Sequence, residues 1–83
     1  MTMKTSIEIA VGAKTFSSGL LPELIAALRR CGPGDLFAVV GREANIGADL
    51  EAWCRFTRNT LIATTIKADR TRWVIRCGGG ARG

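Results

Sequence analysis

Histidine is absent from this 83-residue chain, and so is tyrosine. Without histidine there is no ordinary base to activate a serine nucleophile, and no imidazole for a zinc site. Without tyrosine, and with aromatic residues at 6%, the chain lacks the aromatic signature of a sheet that stacks RNA bases. Cysteine stops at three: Cys31, Cys54 and Cys77, each 23 residues from the next. An odd number without a secretion signal argues against a disulfide framework. The spacing is too wide for clustered zinc ligands, so neither a structural metal nor a cofactor is expected. No apolar run approaches the roughly 20 residues of a membrane span. The opening "MTMKTSIEIA" has no apolar signal core and is interrupted by Glu8. A cytoplasmic protein that makes no use of a membrane is the expectation.

What is present suits one small domain. Hydrophobic residues make up 47% and charged residues 23%, ordinary proportions for a globular chain. A chain this short buries roughly 60–65% of its unfolded surface, enough for one thin core. Charge is uneven. Residues 1–51 carry five Lys/Arg against six Asp/Glu, and residues 52–83 carry seven against Asp69 alone. The basic set is Arg55, Arg58, Lys67, Arg70, Arg72, Arg76 and Arg82. Such asymmetry suits an acidic partner surface or nucleic acid, although a solvated basic face would look the same.

Periodicity supplies the elements. Ile7, Ile9 and Val11 alternate with Ser6, Glu8 and Ala10, a strand with one buried face. Leu21, Leu24, Ile25 and Leu28 form an apolar stripe at helical spacing. Pro22 belongs in the first turn of that helix, which therefore starts between Gly19 and Leu21. Gly32 to Asp35 ends it, glycine supplying a left-handed cap. Leu36 to Val40 is a continuous apolar run, the pattern of a central strand. Ile46, Leu50, Trp53 and Cys54 mark a second helix, with Asn45 as its N-cap. Leu61–Lys67 and Arg72–Cys77 read as a hairpin with a loop of about four residues. The order β-α-β-α-β-β predicts a two-layer α/β sandwich: a four-stranded mixed sheet with both helices on one face and the other face partly open. The domain spans residues 1–78, and the Gly-rich tail 79–83 has nothing to bury and is expected to fray.

This order, with "LLPELIAALRRCGPGDLFAVV", "LEAWCRFTRNTLIATT" and "RWVIR" in series, resembles the TusA/SirA family of small sulfur-carrier proteins. The resemblance runs from about Ile7 to Arg76. It implies a protein that takes sulfur as a persulfide from a desulfurase or rhodanese-like donor and passes it on by docking. The family's hallmark is Cys-Pro-x-Pro at the mouth of the first helix. Counting back from Pro33-Gly34-Asp35 without a gap, the cysteine falls on Ser17 and the prolines on Ser18 and Leu20. Setting "LPEL" against the motif instead puts Leu21 at the cysteine.

A helix N-terminus favours a thiolate through its partial positive charge and free N–H groups. A serine hydroxyl is a far weaker acid and cannot hold a persulfide, so Ser17, at the family's cysteine position, is not expected to be catalytic. An anion or docking site built from Lys14, Ser17, Ser18 and Gly19 is the alternative there, with Arg55, Arg58 and Arg72 as further docking residues. Among the thiols, Cys54 lies on an apolar stripe, and Cys31 ends the first helix. Cys77 follows Arg76, which favours a reactive thiol, but alternates with Trp73 and Ile75, which favours burial. Trp53 and Trp73 sit at core-packing positions. The readings that follow are a degenerate sulfur-relay protein that docks to or regulates an acidic protein partner, with a relocated sulfur carrier using Cys77 as its alternative; a basic nucleic-acid-binding module; and a structural domain that pairs through its open sheet face.

Overall fold

The alternation of Ile7, Ile9 and Val11 produces β1 (Ile7–Gly12), which lies parallel to β2 (Leu36–Gly41) with Ile7 opposite Phe37 and Ile9 opposite Val39. Parallel neighbours need a crossover, and α1 (Leu20–Arg29) supplies it after a short 3₁₀ turn, Phe16–Ser18. After β2 comes α2 (Ile46–Phe56), then the hairpin β3 (Thr60–Ile66) and β4 (Thr71–Arg76). The sheet order is β1-β2-β4-β3, with β4 antiparallel to both neighbours. These features come from a computed structural model that describes residues 7–43 and 45–78; the tail expected to fray, 79–83, lies outside the described residues, as does the start of the chain to residue 6.

One core holds the layers together. Val11, Phe37, Val39, Trp73 and Ile75 from the sheet meet Leu20, Leu24 and Ala27 of α1 and Ile46, Leu50 and Cys54 of α2. Both helices therefore cover the same sheet face, as the pattern predicts. Phe37 is opposite Ile75, and Val39 opposite Trp73, so apolar pairs stack across the central strands.

Several local expectations are corrected. The buried stripe of α1 runs through Leu20, Leu24 and Ala27, with Leu28 and Cys31 packed beside it, whereas Ile25 is 42% exposed. The buried stripe is thus turned from the expected one, while α1 begins at Leu20, within the expected start, and places Pro22 in its first turn as required. No left-handed glycine caps the end of α1: Arg30 closes it in a right-handed conformation. The positive φ of 85° falls on Gly34, the corner of a Pro-Gly turn closed by Asp35 N–H donating to the Gly32 carbonyl at 3.0 Å. Asn45 does not cap α2 with its side chain. It is itself helical (φ −59°, ψ −27°), and a backbone turn, Ile46 N–H to the Glu43 carbonyl at 3.2 Å, leads into the helix. The hairpin strands begin and end one residue earlier than expected, leaving the loop Lys67–Arg70. Lys67 N–H donates to the Arg70 carbonyl across it at 2.8 Å.

The end of α2 is latched to the end of the sheet. Arg58 takes a left-handed turn (φ 63°), and the buried Asn59 follows. Asn59 accepts a hydrogen bond from Gly78 N–H at 2.9 Å and donates to Thr57 Oγ1 at 2.8 Å. The chain passes so close here that a Cβ on Gly78 would sit 1.9 Å from the Arg58 carbonyl oxygen.

Candidate functional site: a helix mouth, three thiols and a basic cleft

The mouth of α1 is organised around Thr15. Its carbonyl accepts both Ser18 N–H and Leu20 N–H at 3.0 Å. Its own N–H donates to Ser18 Oγ at 2.8 Å, and its hydroxyl lies 3.2 Å from Ser17 Oγ and 3.1 Å from Ser18 Oγ. Ser17 and Ser18 therefore belong to the 3₁₀ turn and not to the first turn of α1. Gly19 joins the two at φ 112°, a conformation closed to residues with a Cβ. Ser17 has hydroxyl neighbours and no base, so nothing here activates it. Lys14 is ion-paired with Glu23 of α1. The cluster Lys14, Ser17, Ser18 and Gly19 is thus brought together, with its cation already matched and its hydroxyls shared among themselves.

The thiols lie elsewhere. Cys31 follows α1 at its far end, about 15 Å along the helix axis from Leu20. Cys54 is buried in the last turn of α2, and Cys77 follows β4 with 5% of its surface exposed. The backbone holds Cys77 on both sides: its N–H donates to the Asp35 carbonyl, and its carbonyl accepts Gly34 N–H, each at 2.8 Å. Burial pushes the Cys77 thiol up to about 12, with neighbouring Cys31 and Asp35, and then Cys54, adding to it. Burial, and then Glu51, pushes Cys54 up to about 11. The expectation that Arg76 would activate Cys77 fails, because alternation sends the exposed Arg76 to the opposite face of the strand from Cys77. The regular cysteine spacing carries no ligand pattern, yet the fold gathers all three thiols at one end of the core. Among the described residues no group of three or more potential ligands is placed to hold a metal.

The docking arginines do not form one surface. Arg55 is exposed on α2 and pairs with Glu51 at 3.4 Å, and Arg58 follows at the left-handed turn. Arg72 stands on the bare face of the sheet, 3.5 Å from Glu8 of β1. There it joins residues that sequence reasoning left unassembled. Lys67 and Arg70 from the hairpin loop, with Arg72 and Glu8, line a cleft of about 370 Å³. An adjoining cleft of about 210 Å³ over the ends of β1 and β2 adds Arg42. Asp69 lies in both, its carboxyl held below the usual range by hydrogen bonding to Arg70, with a smaller contribution from Arg42. On the helix side, Phe56 is 89% exposed and borders a groove with Phe16 and Trp53.

Fold and site together define a small open-faced α/β sandwich with two buried thiols and one half-buried thiol at one end of its core and a charged cleft on the face away from the helices. No protein-family model matches the chain, and no curated protein matches it in sequence. No helix among the described residues is long and apolar enough to cross a membrane.

Proposed function

We propose that the protein is a docking module of the sulfur-relay type that does not itself carry sulfur. The observation that supports this reading best is the division of labour around α1. The helix mouth, where a carrier would present a thiolate, holds the mutually bonded hydroxyls of Thr15, Ser17 and Ser18. The thiols that exist are at the other end, two of them buried. The partner is a sulfur-transfer enzyme with an acidic surface, met by Arg42, Lys67, Arg70 and Arg72. Charges of this kind steer encounter more than they add affinity.

The test is intact-mass analysis after incubation with a cysteine desulfurase and cysteine, run on the natural sequence and on Ser17→Cys. The expected result is no mass gain in the natural sequence and the gain of one sulfur atom in Ser17→Cys, since the donor still docks. A gain in the natural sequence that disappears in Cys77→Ser identifies a relocated carrier instead. No gain in either form ends the docking reading for this donor class. The basic cleft also favours a second reading, nucleic-acid binding. It ranks lower because Trp73 and Phe37 are buried in the core, which leaves no aromatic from the sheet for bases to stack on. An affinity for single-stranded RNA that persists at physiological salt would reverse that order.

A further inference from the structure

We propose that the free edge of β3 is an interface with a second copy of this chain, joining two four-stranded sheets into one of eight strands about a two-fold axis. β3 is hydrogen-bonded to β4 on one side only, so its other side offers a row of backbone donors and acceptors with no strand to take them. Edge strands are ordinarily blunted by charge, proline or a bulge. The seven residues Thr60–Ile66 contain no charge and no proline, and their threonines and isoleucines favour an extended chain. The one irregularity falls between Leu61 and Ala63, which leaves Ala63–Ile66 in unbroken register with β4. The opposite edge differs: β1 bears Glu8 and is interrupted between Ala10 and Gly12.

The side chains agree with the backbone. Leu61, Thr64 and Ile66 lie opposite Ile75, Trp73 and Thr71, on the helix side of the sheet, yet α2 leaves Thr64 and Ile66 exposed. The helix is seated over β4 instead: a Cβ on Gly47 would come within 3.1 Å of the Trp73 indole nitrogen. Between α2 and β3 this leaves an open furrow of about 400 Å³, with Gly47, Ala48 and Glu51 on one wall and Leu61, Thr64 and Ile66 on the other. Glu51 is already paired with Arg55. Ile66 is 78% exposed, and Ile62 on the same strand is 38% exposed. An occupant has to bring a strand for the edge and apolar side chains for the furrow together, and β3 of a second copy brings both. Antiparallel pairing about a two-fold perpendicular to the sheet puts both helix layers on the same side. The two furrows then merge, and Leu61 and Ile66 of each copy meet between two α2 helices. Two-fold pairing also sets a strand against its own sequence, where like charges would oppose each other, and β3 has none to oppose. A charged partner finds its match on the other face, among Lys67, Arg70 and Arg72.

The experiment is sedimentation of the full chain over a concentration series, with hydrogen exchange read by mass spectrometry at both ends of the series. The expected result is a species of twice the 8.9 kDa of one chain, dissociating on dilution. Backbone amides of Thr60–Ile66 then exchange more slowly as the concentration rises. Ile66→Lys places a charge on the edge and in the furrow, and is expected to weaken the dimer at least about tenfold. Because Ile66 is exposed, the variant melts in dilute solution as the natural chain does. Phe56→Ser removes the most exposed large apolar side chain, which lies outside the furrow, and leaves the dimer intact. A single species of 8.9 kDa up to about 1 mM, or an assembly that grows past two chains, overturns the proposal. So does a dimer that Ile66→Lys leaves as tight as before, one that Phe56→Ser dissociates, or one whose concentration-dependent protection falls on β1 or the helices instead of β3. The exchange measurement uses the natural chain, so a variant that fails to fold does not obscure the answer.

Discussion

On β4, Trp73 and Ile75 point under the helices while Arg72 and Arg76 point away from them, and that alternation separates two surfaces with different tolerances. The covered face is closed: Phe37, Val39, Leu50 and Ile75 have no exposed surface, and even its sulfur atoms are kept protonated by burial. The bare face is held by exposed charge pairs such as Glu8–Arg72, each worth about 0–1 kcal/mol. Ala38 and Val74, paired across the central strands, are buried on the face away from the helices as well, so burial is not confined to the helix side, whereas the exposed charge pairs gather on the other face.

The sharpest way to break that comparison is Phe37→Ala. Removing the largest fully buried side chain is expected to cost about 3–5 kcal/mol, measured by denaturant unfolding. A cost below 1 kcal/mol would mean that the covered face is not the structural one. Next is Gly78→Ala at the latch. The added carbon meets the Arg58 carbonyl at 1.9 Å, and because backbone must move the expected loss is about 1–3 kcal/mol, with melting as the readout. A neutral result would show that the latch is not closed in solution.

Third is an alkaline titration of stability. Cys54 and Cys77 are raised in the folded state, to about 11 and about 12, so between about pH 8.5 and pH 11 the unfolded chain loses thiol protons that the folded chain keeps. The unfolded state then binds fewer protons, and stability falls as pH rises, by up to about 1.4 kcal/mol per pH unit for each thiol. The absence of tyrosine removes the usual competing group from this window. Flat stability to pH 11 would place the thiols in water. The smallest effect belongs to Arg72→Ala, expected to change stability by less than about 1 kcal/mol while weakening the salt dependence of association with an acidic partner. A large loss of stability there would make the bare face structural as well.

The same alternation explains how much of the molecule can be read from its residues. Strands with one covered face declare themselves through Ile7, Ile9 and Val11 or Trp73 and Ile75, and the α2 stripe of Ile46, Leu50 and Cys54 does the same. The α1 stripe misleads because "LLPELIAAL" offers two nearly equivalent apolar faces. The choice between Leu20 and Leu21 is made by the 3₁₀ turn and the left-handed Gly19 that precede them. The candidate site was the least legible part. Ser17 stands out by resemblance, but its membership of a separate turn depends on the hydrogen bonds that Ser17, Ser18 and Leu20 make with the Thr15 carbonyl and hydroxyl. Arg42 and the Lys67–Arg70 loop form a cleft only because β1, β2 and β4 are neighbours.

The position of β4 between β2 and β3 also carries a consequence for how the protein is made. Of these four strands, β4 is the last to leave the ribosome. Until Thr71–Arg76 emerges, β2 and β3 each present an unpaired edge with no neighbour to share. A nascent chain stopped before Thr71 therefore lacks the strand that joins β2 to β3, and it is the form that a chaperone would hold and an aggregate would recruit.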